Sequence, residues 1–301
     1  MTSRTEIDLA GIKLKNPIIM ASGTYGFGEE FKDFYDPKIL GGISSKGITR
    51  YPKKGNDGIR IWETPSGILN SIGLENPGVE EFVKTKIHDM NKLGTEIFVN
   101  LGGNTIEEYI ESAEILNDYD FAAIELNISC PNVKEGGMAF GMDKDSAARV
   151  VREVMKVTNK KVFVKLSPNA GDIVGIAKAV EAEGATGLSL INTILGMAID
   201  LDREEIPFDN TYAGLSGPAV KPIALRILHQ VAKNVNIPII GMGGISNYRD
   251  VLEFLMAGAT AVEIGTYNFM NPNGGAEIIS DLEKYLEEKN KNVNDFVKKL
   301  V

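Results

Sequence analysis

One cysteine and two histidines stand in 301 residues, and each scarcity closes off a class of chemistry. A lone thiol makes no internal disulfide and no cysteine-rich zinc or iron–sulfur site, so nothing points to an oxidising compartment and the cytoplasm is the expected location. The histidines, His88 and His229, both fall in stretches of helical periodicity, which leaves no Ser–His–Asp set and no metal site to expect. Positive charge is also short: 32 basic against 41 acidic residues give a formal net charge of −9. A nucleic-acid or anionic-membrane surface needs the opposite balance, so a small molecule or another protein is the expected partner. Long apolar runs are missing as well. The start, "MTSRTEIDLAGIKLKNPIIM", passes into strand-like sequence without the stretch that a signal peptide or spanning helix requires.

What the chain does have is a repeated unit. At 43% hydrophobic it can bury a large core, and eight short apolar segments recur: 16–23, 41–49, 96–103, 121–129, 161–168, 187–193, 237–244 and 261–268. Near-continuous apolar runs suit strands buried on both faces, as in a parallel sheet. Helical periodicity follows at 79–93, 105–117 with the capping box Thr105-x-x-Glu108, 143–158, 171–183, 218–234, 247–257 and 274–289. Eight strands alternating with helices predict an α/β fold, a (β/α)8 TIM barrel forming one domain over 1–301; a doubly wound open sheet is the competing arrangement. Two connections are too long for simple loops, 49–95 after the second strand and 194–217 after the sixth, and their apolar and glycine content predicts ordered lids over a site. The charged tail reads as one or two amphipathic helices without chemistry.

In such a barrel the reactive groups lie at the carboxyl ends of the strands. Read in order, those ends carry Ser22, Ser45 and Lys46, Asn100, Asn127 with Ser129 and Cys130, Lys165, Asn192 and Thr193, Gly243 and Gly244, and Gly265 and Thr266. Strand ends turn polar wherever they reach loops, but two lysines at the ends of apolar runs demand more. Each must find an anion or shed its proton. "GMGGISN" and "EIGTYN", after strands seven and eight, put bare backbone N–H groups near a helix start at Asn247, which reads as a phosphate site or as a pair of tight turns. Neither is a full dinucleotide fingerprint.

Cys130 is open to two readings: a buried small hydrophobe, or a thiol on the reactive rim suited to take a proton from a weakly acidic carbon. Asn70, Asn127, Asn132 and Asn192 pair acceptors with donors in the way the edge of a planar cyclic amide does, and surface turns favour asparagine too.

Together, "SSKGIT", "NSIGLENPG", "NLGG", "ELNISCPN", "KLSPN", "NTILGMAIDL", "GLSGPAVKPIALR", "GMGGI" and "EIGTYN" resemble the catalytic chain of a class 1 dihydroorotate dehydrogenase. The likeness runs from about residue 16 to 270; "MNPNGG" has no clear counterpart. It implies one FMN per chain and oxidation of dihydroorotate to orotate in pyrimidine biosynthesis. By the resemblance, FMN is held by Ser22, Ser45, Lys46, Asn100, Asn127, Lys165, Ile191, Gly217, Gly243, Gly244, Gly265 and Thr266. Dihydroorotate is held by Lys46, Asn70, Ser71, Ile72, Gly73, Leu74, Asn127, Asn192 and Thr193. Cys130 is the implied base and Lys46 its catalytic companion. Residues 192–226 look closest to the NAD-linked branch, which implies a partner subunit carrying FAD and a 2Fe–2S cluster in a heterotetramer of two catalytic and two partner chains. A fumarate-linked homodimer and a tRNA dihydrouridine synthase are the alternatives; a flavin-free phosphate-binding isomerase or lyase is a third.

Overall fold

The computed structural model describes residues 3–129 and 140–301. The chain opens with a hairpin of β1 (Ile7–Leu9) and β2 (Ile12–Leu14), whose apolar side chains are buried and whose turn is held where Lys161 Nζ donates to the Ala10 carbonyl at 2.6 Å. Next come β3 (Ile18–Met20), β4 (Gly42–Ser44), β5 (Ile61–Thr64), β6 (Gly67–Asn70), β7 (Glu96–Leu101), β8 (Ala123–Asn127) and β9 (Val162–Lys165). The series ends with β10 (Gly187–Leu190), β11 (Ile194–Gly196), β12 (Ala213–Ser216), β13 (Ile239–Met242) and β14 (Ala261–Ile264).

Eight of these strands close into a parallel barrel in the order β10-β13-β14-β3-β4-β7-β8-β9. They are the eight apolar segments expected from the sequence, so the (β/α)8 barrel is the fold and the open sheet is excluded. Strands such as Val162–Lys165 and Ala261–Ile264 are buried at every position, because one face meets the barrel core and the other the helices. Inside, Phe98 and Phe163 meet edge to face, 5.9 Å between centroids, each contributing roughly 1.5–3 kcal/mol by burial.

The outer ring consists of α1 (Val79–Thr85), α2 (Ile87–Asn91), α3 (Ile106–Leu116), α4 (Lys144–Val157), α5 (Ile173–Ala182), α6 (Lys221–Ala232), α7 (Tyr248–Ala257), α8 (Tyr267–Met270) and α9 (Gly274–Glu288). Their starts are where the sequence marks them: Thr105, Asp143, Asp172 and Asn247 each accept a first-turn amide. The helix expected over 79–93 is broken at Lys86. There Thr85 Oγ1 donates back to the Glu81 carbonyl at 2.8 Å, a bond that bends a helix. Beyond α9 the tail forms a 3-10 turn, Val293–Asp295, rather than a second α-helix, and buries Val293 and Phe296. Among the described residues no helix is long and apolar enough to cross a membrane.

The two long connections meet. The connection after β4 supplies β5 and β6, the one after β10 supplies β11 and β12, and the four pair as an antiparallel sheet in the order β11-β12-β6-β5. Leu69, Phe208 and Ala213 form a small core of their own there, with Trp62 and Leu215 packed against it. The expected lids are therefore one structure. β4 and β10 stand four places apart in a ring of eight, so the sheet joins opposite sides of the barrel.

Candidate active site

At the carboxyl ends of the barrel strands, under the antiparallel sheet, lies a cavity of about 660 Å³, within the range of small-molecule and cofactor sites. Of the residues singled out from the sequence, Ser22, Lys46, Asn127, Lys165, Ile191, Gly217, Gly243, Gly244, Gly265 and Thr266 line it. So do Asn70, Ser71, Ile72, Gly73, Leu74, Asn192 and Thr193. Cys130 and Asn132 lie outside the described residues.

Ser45 and Asn100 sit one layer deeper, fully buried and absent from the lining. Ser45 Oγ accepts from the Asn100 backbone amide at 3.1 Å, and Asn100 Oδ1 accepts from Asn127 Nδ2 at 3.4 Å. They brace residues that do reach the cavity. Asn127 Oδ1 in turn accepts from Ser129 Oγ at 2.6 Å, and Ser129 Oγ accepts from Asn192 Nδ2. Two strand ends, β8 and β10, are thus joined by amides and a hydroxyl facing one space.

Beneath them is a group the sequence did not single out. Glu125 of β8 and Glu263 of β14 both point inward and flank Lys165 of β9. Lys165 Nζ lies 3.1 Å from Glu125 Oε1 and 3.4 Å from Glu263 Oε2. Glu125 also accepts from Ser189 Oγ at 2.7 Å, Ser44 Oγ at 2.8 Å and Asn100 Nδ2. Burial opposes its charge, but the Lys165 ammonium and these three donors outweigh that and hold its carboxyl below the usual range. Lys165 is treated the same way: desolvation pushes it down, the two carboxylates push it up further, and it stays an ammonium. Glu263 has few such donors, and burial followed by the Glu125 charge raises it to about 8. The signal for this layer was a single carboxylate in each of two apolar strands, "AIELN" and "AVEI".

At the mouth, Lys46 Nζ and Arg60 Nη1 share Glu75, at 3.9 and 2.8 Å from its Oε2. Arg60 was not anticipated either. On the opposite rim, Gly217, Gly243 and Gly244 have φ of 107°, 130° and 73°. A Cβ on Gly244 would stand 2.8 Å from the Gly217 carbonyl, and one on Gly243 2.7 Å from Ala224 Cβ, so only glycine fits this turn. Two first-turn amides of α7 are already taken, since Asn247 Oδ1 accepts from Arg249 and Asp250 N–H, and just before the helix Asp250 Oδ2 accepts from Ser246 N–H. The glycine turns at Gly217, Gly243 and Gly244 line the cavity. His88 and His229 lie on α2 and α6, away from the cavity. Among the described residues no group of three or more His, Cys, Asp or Glu is disposed to hold a metal ion.

The sequence profile of the dihydroorotate dehydrogenase family matches residues 4–286. The chain belongs to the dihydroorotate dehydrogenase family. This dihydroorotate dehydrogenase-family chain is 51% identical over 285 residues to the dihydroorotate dehydrogenase B (NAD(+)) catalytic subunit of Petrotoga mobilis, covering 95% of both. It is 49% identical over 293 residues to the subunit of the same name from Thermoanaerobacter pseudethanolicus, covering 97% of both. Against that of Citrifermentans bemidjiense it is 52% identical over 281 residues, covering 93% of this chain and 92% of the relative. Like other dihydroorotate dehydrogenases, it is an oxidoreductase.

Proposed function

We propose that this chain oxidises dihydroorotate to orotate in pyrimidine biosynthesis, with FMN in the cavity and with electrons passed to NAD through a partner subunit. The observation that carries the reading is Lys165, a buried ammonium at the floor of a cavity whose walls bring together Lys46, Asn70, Asn127 and Asn192.

The residues present fit FMN. A glycine-only turn at Gly217, Gly243 and Gly244, with Gly265 and Thr266 beside it, offers backbone N–H groups and no side chains to a phosphate. Ser22 and Ile191 line the same cavity, and Ser45 and Asn100 brace Asn127 from behind. When bound, FMN supplies the acceptor for a hydride. Lys165 supplies a fixed positive charge that needs no reorganisation when negative charge appears above it. Asn70, Ser71, Ile72, Gly73, Leu74, Asn127, Asn192 and Thr193 orient the heterocycle through complementary donors and acceptors, and Lys46 pairs with its carboxylate. Cys130, as thiolate, takes the proton from ring carbon 5 while the hydrogen on carbon 6 leaves as hydride with its bonding electrons, and the pair freed at carbon 5 becomes the C5–C6 double bond of orotate.

The relatives' names, NAD(+)-linked and catalytic subunit, support a partner subunit; we infer that this partner carries FAD and a 2Fe–2S cluster, with two of each chain per assembly. Mixing the purified yellow protein with dihydroorotate under anaerobic conditions tests the core of this: the flavin absorbance should bleach and one orotate should form per chain. A flavin-loaded protein that stays yellow would refute it. FAD and iron co-purifying with the chain are expected from its native source; a lone homodimer reducing fumarate would refute the NAD-linked assignment.

A further inference from the structure

Glu263 plays no part in that reading, yet its position is unusual. It is buried at the cavity floor, and among the described residues its Oε1 has no hydrogen-bond partner. The charged groups facing it are Glu125 from β8 and Lys165 from β9; the neighbouring strands β13 and β3 bring Met242 and Ile19 into register with it, neither ionisable. Two carboxylates and one ammonium, all more than nine-tenths buried, leave one negative charge uncompensated if both acids ionise. A buried charge of that kind is removed by taking up a proton.

The hydrogen bonds decide which acid takes it. Glu125 accepts from three side-chain donors, Ser44, Asn100 and Ser189, besides Lys165. Among the described residues Glu263 accepts from Lys165 alone, at the longer distance of 3.4 Å, and otherwise faces the Glu125 carboxylate, to which a protonated Glu263 can donate. Donors favour the ionised form, so the proton belongs on the acid that lacks them.

We propose that Glu263 is the proton-bearing member of the Glu125–Lys165–Glu263 cluster, a neutral acid at neutral pH that leaves the cluster uncharged overall and acts as a positioning residue for Lys165. The consequence rests on the function proposed above. With Glu125 balanced by Lys165 and Glu263 neutral, the floor adds no net negative charge against a ligand that gains negative charge. Ionising Glu263 adds one. The direction of its titration, upward through burial and the Glu125 charge, agrees with the geometry.

Infrared spectroscopy of the protein without added ligand reads the proton directly. The protein should show the C=O stretch of a buried carboxylic acid that exchanges slowly in D2O, fades as the pH is raised, and is missing from Glu263→Gln. Absence of such a band in the unsubstituted protein, or its persistence in Glu263→Gln, would overturn the proposal. This readout involves no flavin, so it stands or falls apart from the dihydroorotate reading. The second measurement is FMN affinity. It should fall roughly tenfold between about pH 7 and pH 9 in the unsubstituted protein, as expected for one new charge near the ligand, and should lose most of that dependence in Glu263→Gln. Equal pH dependence in both would also overturn it.

Discussion

Asn70, at the end of β6, donates from Nδ2 to the backbone carbonyl of Gly214 on β12 at 3.2 Å. One hydrogen bond thus ties a residue proposed to touch the substrate to the second of the two connections that cover it. The geometry of the cover and of the site are one problem.

Gly214→Ala tests that coupling. A Cβ there would meet Thr193 Oγ1 at 2.2 Å and Thr193 Cβ at 2.7 Å, so β12 or Thr193 must shift. The barrel strands are untouched, and the melting temperature should move by only a few degrees. KM for dihydroorotate should rise roughly ten- to a hundredfold, since small displacements of positioning groups carry penalties of that size. Steady-state kinetics beside a thermal melt separates the two effects.

Lys165→Met should destabilise the fold by about 3–5 kcal/mol, because it strands Glu125 in a sealed interior with no cation. Glu263→Gln should cost much less, since it replaces a neutral acid by a neutral amide of the same shape. Urea unfolding of the three proteins at neutral pH gives the ranking; equal losses for the two variants would contradict the charge assignment.

The same cluster sets a pH dependence whose sign follows from proton counting. Glu263 titrates at about 8 when folded against an ordinary 4.5, so between those values the folded chain holds a proton that the unfolded chain has released. Its contribution is complete below about pH 4.5 and is lost as the pH climbs through about 8, with a slope approaching 1.4 kcal/mol per pH unit, roughly. Glu125 works the other way: its lowered titration supports the fold above the ordinary carboxylate value and is lost in acid. Denaturant unfolding across this range should show stability declining with pH, and Glu263→Gln should flatten the decline.

Cys130→Ala should retain flavin and reduce it with dihydroorotate roughly two to four orders of magnitude more slowly, the range for removal of a general base. Cys130→Ser should recover little near neutral pH, because a hydroxyl is a much weaker acid than a thiol. Stopped-flow reduction at fixed substrate measures both, and near-normal rates in the alanine variant would remove Cys130 from the chemistry.

Much of the barrel could be read in the chain because its information is local. Each of the eight strands is a run of apolar residues followed by a polar end, and the major helices announce themselves through periodicity, four of them also through a cap such as Asp143 or Asn247. Lys165 was legible as a lysine that had to find an anion. That anion was not: Glu125 and Glu263 lie 40 and 98 positions away, and only closure of the ring brings them to it. The four strands of the cover were hidden for a different reason. Ile61–Thr64 and Ile194–Gly196 are short and half-exposed, so their apolar pattern is weak; each pairs with its own neighbour, β6 or β12, and the sheet is completed only where β6 meets β12, with Asn70 and Gly214 144 positions apart. Ser45 and Asn100 show the remaining gap, since a strand-end position tells that a side chain points inward but not whether it reaches the surface of the cavity or stops one layer short.

The sheet made from both connections ties the ends of β4 and β10, strands that face each other across the ring, through the single ladder of β6 and β12. Neither half of this roof can be lifted without breaking that ladder, so a disturbance in either connection is felt by the other and by the cavity below both.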